Sequence, residues 1–172
     1  MNLKYLFIAI AAFLSAISAF SSSPVVKPKA GGIPVTIKAD RAELERATQQ
    51  SIYTGNVRLE RGGLTMVGDK LVVTRNPNTK EVLAVLTGSP AKIQQLPDAT
   101  VKDEMRAQAN RVEYTLKEQS LSLIGNAIFA RNNDRMAGEE IRYDAKNGRV
   151  LANGNTNTKG GVVITFTPDD LE

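Results

Sequence analysis

Apolar and polar residues alternate with period two along most of the chain, the pattern of strands that keep one face buried. Such stretches occupy residues 35–38, 52–60, 64–73, 82–86 and 91–95, and again 108–116, 119–130, 135–144, 150–153 and 162–167. Between them stand turn-forming clusters. The first half has Arg61-Gly62-Gly63, Arg75-Asn76-Pro77-Asn78 and Gly88-Ser89-Pro90; the second has Asn132-Asn133-Asp134, Lys146-Asn147-Gly148 and Lys159-Gly160-Gly161. Residues of these types accept positive φ or pre-set a turn.

The pattern also repeats. Residues 37–73 return about seventy positions later as 107–143, without an insertion. Ala39 and Arg41 align with Ala109 and Arg111, Gly55-Asn56 with Gly125-Asn126, Met66 with Met136, Gly68 with Gly138, and Asp40 with the similar Asn110. A period this long implies two copies of a multi-stranded β module sharing one core, not a solenoid of small units. The repeat also settles an ambiguity. Residues 39–48 have helical composition, but their twin, 109–117, alternates Val112, Tyr114 and Leu116 with Arg111, Glu113 and Thr115, so both are expected to be strands. Residues 96–104, with Pro97 and scattered charges, connect the halves.

Alternation assigns faces. Val35 and Ile37 point inward, as do Tyr53, Val57 and Leu59, and in the second copy Leu123, Ala127 and Phe129. Leu71, Val73, Val112, Tyr114, Leu116, Ile141, Tyr143, Ile164 and Phe166 complete the apolar set. Aromatic residues are only 5% of the chain, so this interior is mainly aliphatic. Such an interior admits acyl chains or closes as an ordinary core, and pattern alone does not separate the two. The Gly-Asn pairs fall inside strands, where glycine marks a bend or bulge.

Composition narrows the chemistry. The chain has no His, Cys or Trp, which excludes His-based triads, Cys nucleophiles, zinc–thiolate sites and haem ligation by these residues. No residue pattern supports an enzyme, a metal site or a cofactor. The formal charge of +4 is spread along the chain, without the basic runs and interleaved aromatics of a nucleic-acid binder. At the N-terminus, Lys4 precedes an apolar run and then small residues, as in a secretory signal peptide. The domain plan is therefore a signal peptide over 1–21 with cleavage after Ser18 or Ser21, a flexible leader over 22–33, and one β domain over 34–172. The alternative for residues 3–20 is an uncleaved membrane anchor.

Three segments carry a family resemblance. Ile37-Lys38-Ala39-Asp40, Tyr53-Thr54-Gly55-Asn56-Val57 and Gly68-Asp69-Lys70-Leu71 resemble, in order and spacing, the OstA-like family of lipopolysaccharide transport proteins. Ser89-Pro90-Ala91 and the second-half echo at Tyr114, 123–127 and 138–143 belong to the same likeness, which runs from about Pro34 to the C-terminus. Gly68 stands where the family usually has Ala, a small-for-small departure. The resemblance implies an all-β jellyroll, open at both ends, whose groove shields the acyl chains of lipopolysaccharide. It places the protein in the periplasm and implies partners: an LptC-like inner-membrane protein, an LptD-like outer-membrane translocon, and further copies of itself joined end to end. Val35, Ile37, Ile93, Tyr114 and Leu116 fall where family members line that groove, and the inward Val57, Leu59 and Phe129 extend it.

End-to-end joining needs exposed strand edges. The candidates are the first strand, with Val35, Thr36 and Ile37, and the last, with Val162, Val163, Ile164, Thr165 and Phe166. Two rivals stand beside this reading: a membrane-anchored LptC-like subunit, which requires residues 3–20 to be retained, and a secreted carbohydrate-binding jellyroll, which would display aromatic platforms.

Overall fold

The predicted strands are present, and most run longer than alternation alone marks. The structure, a computed structural model, describes residues 34–98, 102–144, 146–154 and 160–167. The signal peptide and leader lie outside the described residues. Ten strands follow in order: β1 (Thr36–Lys38), β2 (Arg41–Glu45), β3 (Gln50–Arg61), β4 (Leu64–Arg75), β5 (Val82–Gln95), β6 (Met105–Thr115), β7 (Ser120–Arg131), β8 (Asp134–Asp144), β9 (Arg149–Asn153) and β10 (Val163–Thr165). All pairings are antiparallel, and β3 to β8 form a meander of neighbours. β1 and β2 share the outer edge of β3, while β9 and β10 share that of β8. The repeat explains this symmetry. β1 and β2 are the twin of the continuous β6, and β9 and β10 take in the second copy the place of β5 in the first.

Residues 39–48 are not helical: the segment is β2 followed by a turn at 46–49. The Gly88-Ser89-Pro90 turn is a correction. It does not separate two strands but lies within β5, where the pairing with β6 skips from Thr87 to Ala91. The same irregularity crosses the whole meander, at Thr54/Val57, Val67/Lys70, Gln108/Arg111 and Ile124/Ala127. Together these breaks form a seam across the middle of the six long strands, marked by Gly55, Gly68, Gly88, Gly125 and Gly138. A Cβ at Gly68 would lie 2.6 Å from the Thr87 carbonyl oxygen, and one at Gly138 2.7 Å from that of Asn153.

Gly55 and Gly125 have φ of +79°, and the following Asn56 and Asn126 also lie at positive φ. A Cβ on Gly55 would overlap the Asp40 carboxylate, and one on Gly125 would sit 2.8 Å from Asn110 Nδ2. Asp40 turns this proximity to use. Its backbone N–H donates to the Gly55 carbonyl at 2.9 Å, and its carboxylate accepts from Asn56 Nδ2 at 2.9 Å. Alignment of Asp40 with Asn110 in the repeat is thus the alignment of two polar side chains lodged against a glycine.

The seam folds the sheet into two layers. The first contains β1, β10 and the halves of the long strands near residues 57–67, 91–108 and 127–138; the second contains β2, β9 and the opposite halves. Phe129 pairs with Met136, which lies seven residues from Tyr143 along β8, about 23 Å if the strand ran straight. The Phe129 and Tyr143 rings are nevertheless stacked, with centroids 6.0 Å apart. Between the layers, Leu59, Leu71, Leu86, Leu121, Leu123 and Ile141 are at most 1% exposed, each contributing about 1.5–3 kcal/mol by burial.

Most of the inward assignments are buried or packed against this core. Ile164 and Phe166 are corrections. Ile164 has inward parity, opposite Met136, yet Ile164 and Phe166 are 45% and 70% exposed because no further strand covers them among the described residues. The alternation at 162–167 yields only three residues of strand, and Val35 likewise precedes β1.

Gly55→Ala combines an overlap with a left-handed φ, whereas Gly148→Ala meets the same kind of φ (+67°) in open space. The conformational penalty is about 1–2 kcal/mol for each, and Gly55→Ala is expected to lose about twice as much as Gly148→Ala in urea denaturation. Equal losses would show that the Asp40 contact does not hold the seam.

Candidate functional site

Pairing across the sheet builds two unbroken apolar rows. In the first layer Ile37, Leu59, Met66, Ile93, Ala107, Phe129, Met136 and Ile164 are consecutive cross-strand partners from β1 to β10. In the second, Ala42, Tyr53, Leu71, Leu86, Val112, Leu123, Ile141 and Ala152 run from β2 to β9 in the same way. Eight strands at ~4.8 Å spacing make each row about 34 Å long. The rows face each other and reach both open edges of the sheet.

The interior is closed along most of this length and open at one end. Met66 and Ile93 are 3% and 2% exposed, but at β8 to β10 the layers part around a cavity of about 460 Å³. Its apolar wall is Met105, Phe129, Met136, Tyr143, Val150, Ile164 and Phe166, with the buried Gln95; its mouth carries Asp103, Arg131, Asp134 and Arg135. An apolar pocket with a polar mouth suits an amphiphile better than a polar solute.

The eight groove residues expected from sequence do not stand alike. Val57, Leu59, Ile93 and Tyr114 are buried to between 0% and 3%. Burial pushes the Tyr53 and Tyr114 hydroxyls above their ordinary range, so both stay neutral. Val35, Ile37, Leu116 and Phe129 are partly buried against the core, and of the eight only Phe129 lines the cavity. Met66, Ala107 and Met136 were missed although they complete the first-layer row. The signal was available in Met66 and Met136, which the repeat aligns. Gln95, 2% exposed, was not legible as an interior residue; its Nε2 donates to the Leu96 carbonyl at 2.7 Å.

At the edges, β1 pairs only with β3 and β10 only with β8 among the described strands. Each leaves one side of its backbone open. The last edge is the more apolar, with Val163 63% exposed beside Ile164 and Phe166.

Residues 36–149 match the family model described as LptA/(LptD N-terminal domain) LPS transport protein. The chain is 28% identical over 163 residues to the lipopolysaccharide export system protein LptA of Haemophilus influenzae, covering 93% of this chain and 92% of the relative. To LptH of Pseudomonas aeruginosa, also named a lipopolysaccharide export system protein, it is 26% identical over 126 residues, covering 73% and 71%. To LptA of Escherichia coli K12 it is 29% identical over 142 residues, covering 81% and 74%. The crystal structure of LptH, described as the LptA-homologous periplasmic component of the lipopolysaccharide transport device, has the same fold, with a TM-score of 0.67 at 24% identity over 79% of this chain and 96% of that one.

The cavity mouth depends on Asp103. Its carboxylate accepts from Asn132 Nδ2 at 3.1 Å and from Arg131 Nη2 at 2.7 Å, tying the 96–104 connection to the β7–β8 turn. The Asn132 bond first, and Arg131 second, hold its pKa below the ordinary 3.8. A depressed folded-state pKa adds stability above the unfolded value and loses it as pH falls through the folded one. The wild-type advantage over Asp103→Asn, at most about 1 kcal/mol for a pair this solvated, should therefore be full at pH 6 and shrink below about pH 4. A gap that stays constant over that range in urea titrations would remove the carboxylate from this role.

Proposed function

The chain belongs to the LptA/LptD N-terminal-domain family of lipopolysaccharide transport proteins, and on that premise we propose that it binds lipopolysaccharide in the periplasm and carries it between the two membranes. The observation that carries this reading is the pair of apolar rows running edge to edge. An acyl chain in water costs about 0.8 kcal/mol per exposed methylene, and a lining continuous from β1 to β10 removes that cost along the whole domain. Chains enter at the cavity around Phe129, Met136 and Tyr143, where the layers already stand apart. Farther in, the rows have to separate to receive them.

A lining of about 34 Å ends at the two open edges of one domain, and the reading includes assembly that continues it. Copies join end to end, with an LptC-like inner-membrane protein and an LptD-like outer-membrane protein at the ends of the chain of domains. The internal repeat supplies a template for the joint. β5 and β6 pair within the molecule with Ile93 opposite Ala107 and Gln94 opposite Arg106. β10 holds the place of β5, and β1 is the twin of the first half of β6. By that equivalence β10 of one copy pairs with β1 of the next, placing Ile164 opposite Ile37 and Thr165 opposite Thr36. The first-layer row then continues from copy to copy.

Two tests follow. A photo-crosslinking residue at Phe129 or Met136, in cells, should give adducts with lipopolysaccharide, while the outward positions Lys38 and Thr115 should not; equal labelling inside and outside would reject the groove. The chain has no Cys, and opposite residues of an antiparallel pair are close enough for a disulfide. Oxidation of a Thr36→Cys/Thr165→Cys chain should therefore yield a ladder of linked copies. A ladder of equal yield from Thr36→Cys/Val163→Cys, two residues out of register, would reject the template.

A further inference from the structure

The groove opens opposite the seam, because each long strand runs from one rim through the seam to the other. The cavity lining records this, with Gly148 from one rim and Asp103, Arg131 and Asp134 from the other. The two rims differ in charge. On the second-layer rim four hairpin turns join β2 to β3, β4 to β5, β6 to β7 and β8 to β9, and each carries one exposed cation: Arg46, Lys80, Lys117 and Lys146. On the first-layer rim the short turns, Gly62-Gly63 and Asn132-Asn133, are uncharged; the long connection brings Asp98, Lys102, Asp103 and Glu104, and Arg61, Arg131 and Asp134 stand at the adjoining strand ends, so that carboxylates outnumber cations by one.

Ion pairing sharpens the difference. The ion pairs among the described residues either lie along single strands, such as Arg58–Glu60 and Arg111–Glu113, or join Arg131 to Asp103. None involves the four turn cations. The neighbouring carboxylates are partly spent on the turns themselves: Asp144 accepts from the backbone N–H groups of Lys146 and Asn147, and Glu45 accepts from Thr48 Oγ1. Glu81 and Glu118 share two of the turns, and Arg75 and Arg149 at the adjoining strand ends restore the positive surplus.

Each turn serves two strands, so the cations recur about every 10 Å along the opening. That spacing is close to the Debye length of about 8–10 Å at physiological ionic strength. An anionic group leaving one cation is already in the field of the next.

We infer that the second-layer rim is a rail for the anionic head group of the amphiphile whose chains lie in the groove, Arg46, Lys80, Lys117 and Lys146 being its successive contacts. The inference rests on the groove reading above and adds a direction to it. Chains between the layers put the head group at the opening, where the rim with the positive surplus attracts phosphate and the other, whose cations are offset by Asp98, Asp103, Glu104 and Asp134, does not. The lipid is thereby held with its head toward the second-layer turns. Three of the four contacts are lysines, compact charges on flexible stems, which suit a ligand that moves on better than the fixed bidentate grip of arginine.

The test compares two triple variants of the full mature chain. One is Lys80→Gln/Lys117→Gln/Lys146→Gln; the control is Lys38→Gln/Lys70→Gln/Lys92→Gln, three exposed cations on the outward face. Binding is measured for bisphosphorylated lipid A and for the same lipid with its phosphates removed, with inorganic phosphate as competitor. Exposed ion pairs contribute modestly and add up, so the rim variant should bind the phosphorylated lipid about tenfold more weakly, with the difference largely gone in about 0.5 M salt. Its binding of the dephosphorylated lipid, and both affinities of the control, should stay at wild-type values.

Equal loss for both lipids would assign the rim a structural role, and equal loss in the control would assign the effect to net charge. Displacement of the phosphorylated lipid by millimolar inorganic phosphate would make the rim a free-phosphate site. Each of these overturns the rail. An unaffected rim variant whose wild type binds both lipids overturns the rail and leaves the groove standing, whereas a wild type that binds neither lipid overturns both.

Discussion

The fold depends on the line where six strands bend together. A flat antiparallel sheet of this length would leave its apolar face in water, and among the described residues there is no helix to cover it. Bending every strand at the same level lets one sheet cover itself. The bend requires backbones to approach where a Cβ would collide, and it requires left-handed residues, so glycine or a small residue recurs across the seam. Asp40 and Asn110 then fill the space beside Gly55 and Gly125. Everything else follows from this geometry: two facing layers, two apolar rows, and an opening on the side away from the bend.

Two copies of one module end in different environments, and that difference makes the cavity. Leu59, Leu64 and Met66 in the first copy are buried to between 1% and 3%. Their twins Phe129, Asp134 and Met136 line the cavity instead. Leu64 and Met66 lie on β4, whose outer neighbour at these positions is the long β5. Their counterparts Asp134 and Met136 lie on β8, whose outer neighbours β9 and β10 are short and leave Ile164 and Phe166 exposed. Asp134 in the place of Leu64 turns a core position into a mouth position, and its carboxylate accepts from the Thr167 N–H at 3.2 Å.

Much of this was legible in the sequence. Period-two alternation located the strands, the repeat ruled out a helix at 39–48, and interior Gly-Asn pairs marked the bends. Gly88-Ser89-Pro90 was misread because a bulge within a strand and a turn between strands use the same residue types; only the partner strand distinguishes them. Ile164 and Phe166 were misread for a related reason: parity fixes which way a side chain points, but burial depends on whether another strand stands opposite. The apolar rows are a property of register, which no single strand encodes. Individual members such as Ile37, Ile93 and Phe129 could be named, while their alignment into a continuous lining could not.

A conduit extended by further copies, as proposed above, has to keep the edges most β-proteins hide. Here the risk of indiscriminate pairing is limited by length, since β1 and β10 each offer only three residues of strand. The partner edge is also different in kind. β10 is apolar and exposed, whereas β1 alternates, with Thr36 and Lys38 facing out. Joining unlike edges is heterologous, and such contacts run on in line unless the rotation closes a ring. Self-pairing of two β10 strands would instead meet head to head and end the groove. A joint patterned on β5 and β6 escapes this, because the molecule already makes that contact once at its own centre. The repeat that built one domain from two modules is, on this view, the same operation that builds a longer groove from many domains.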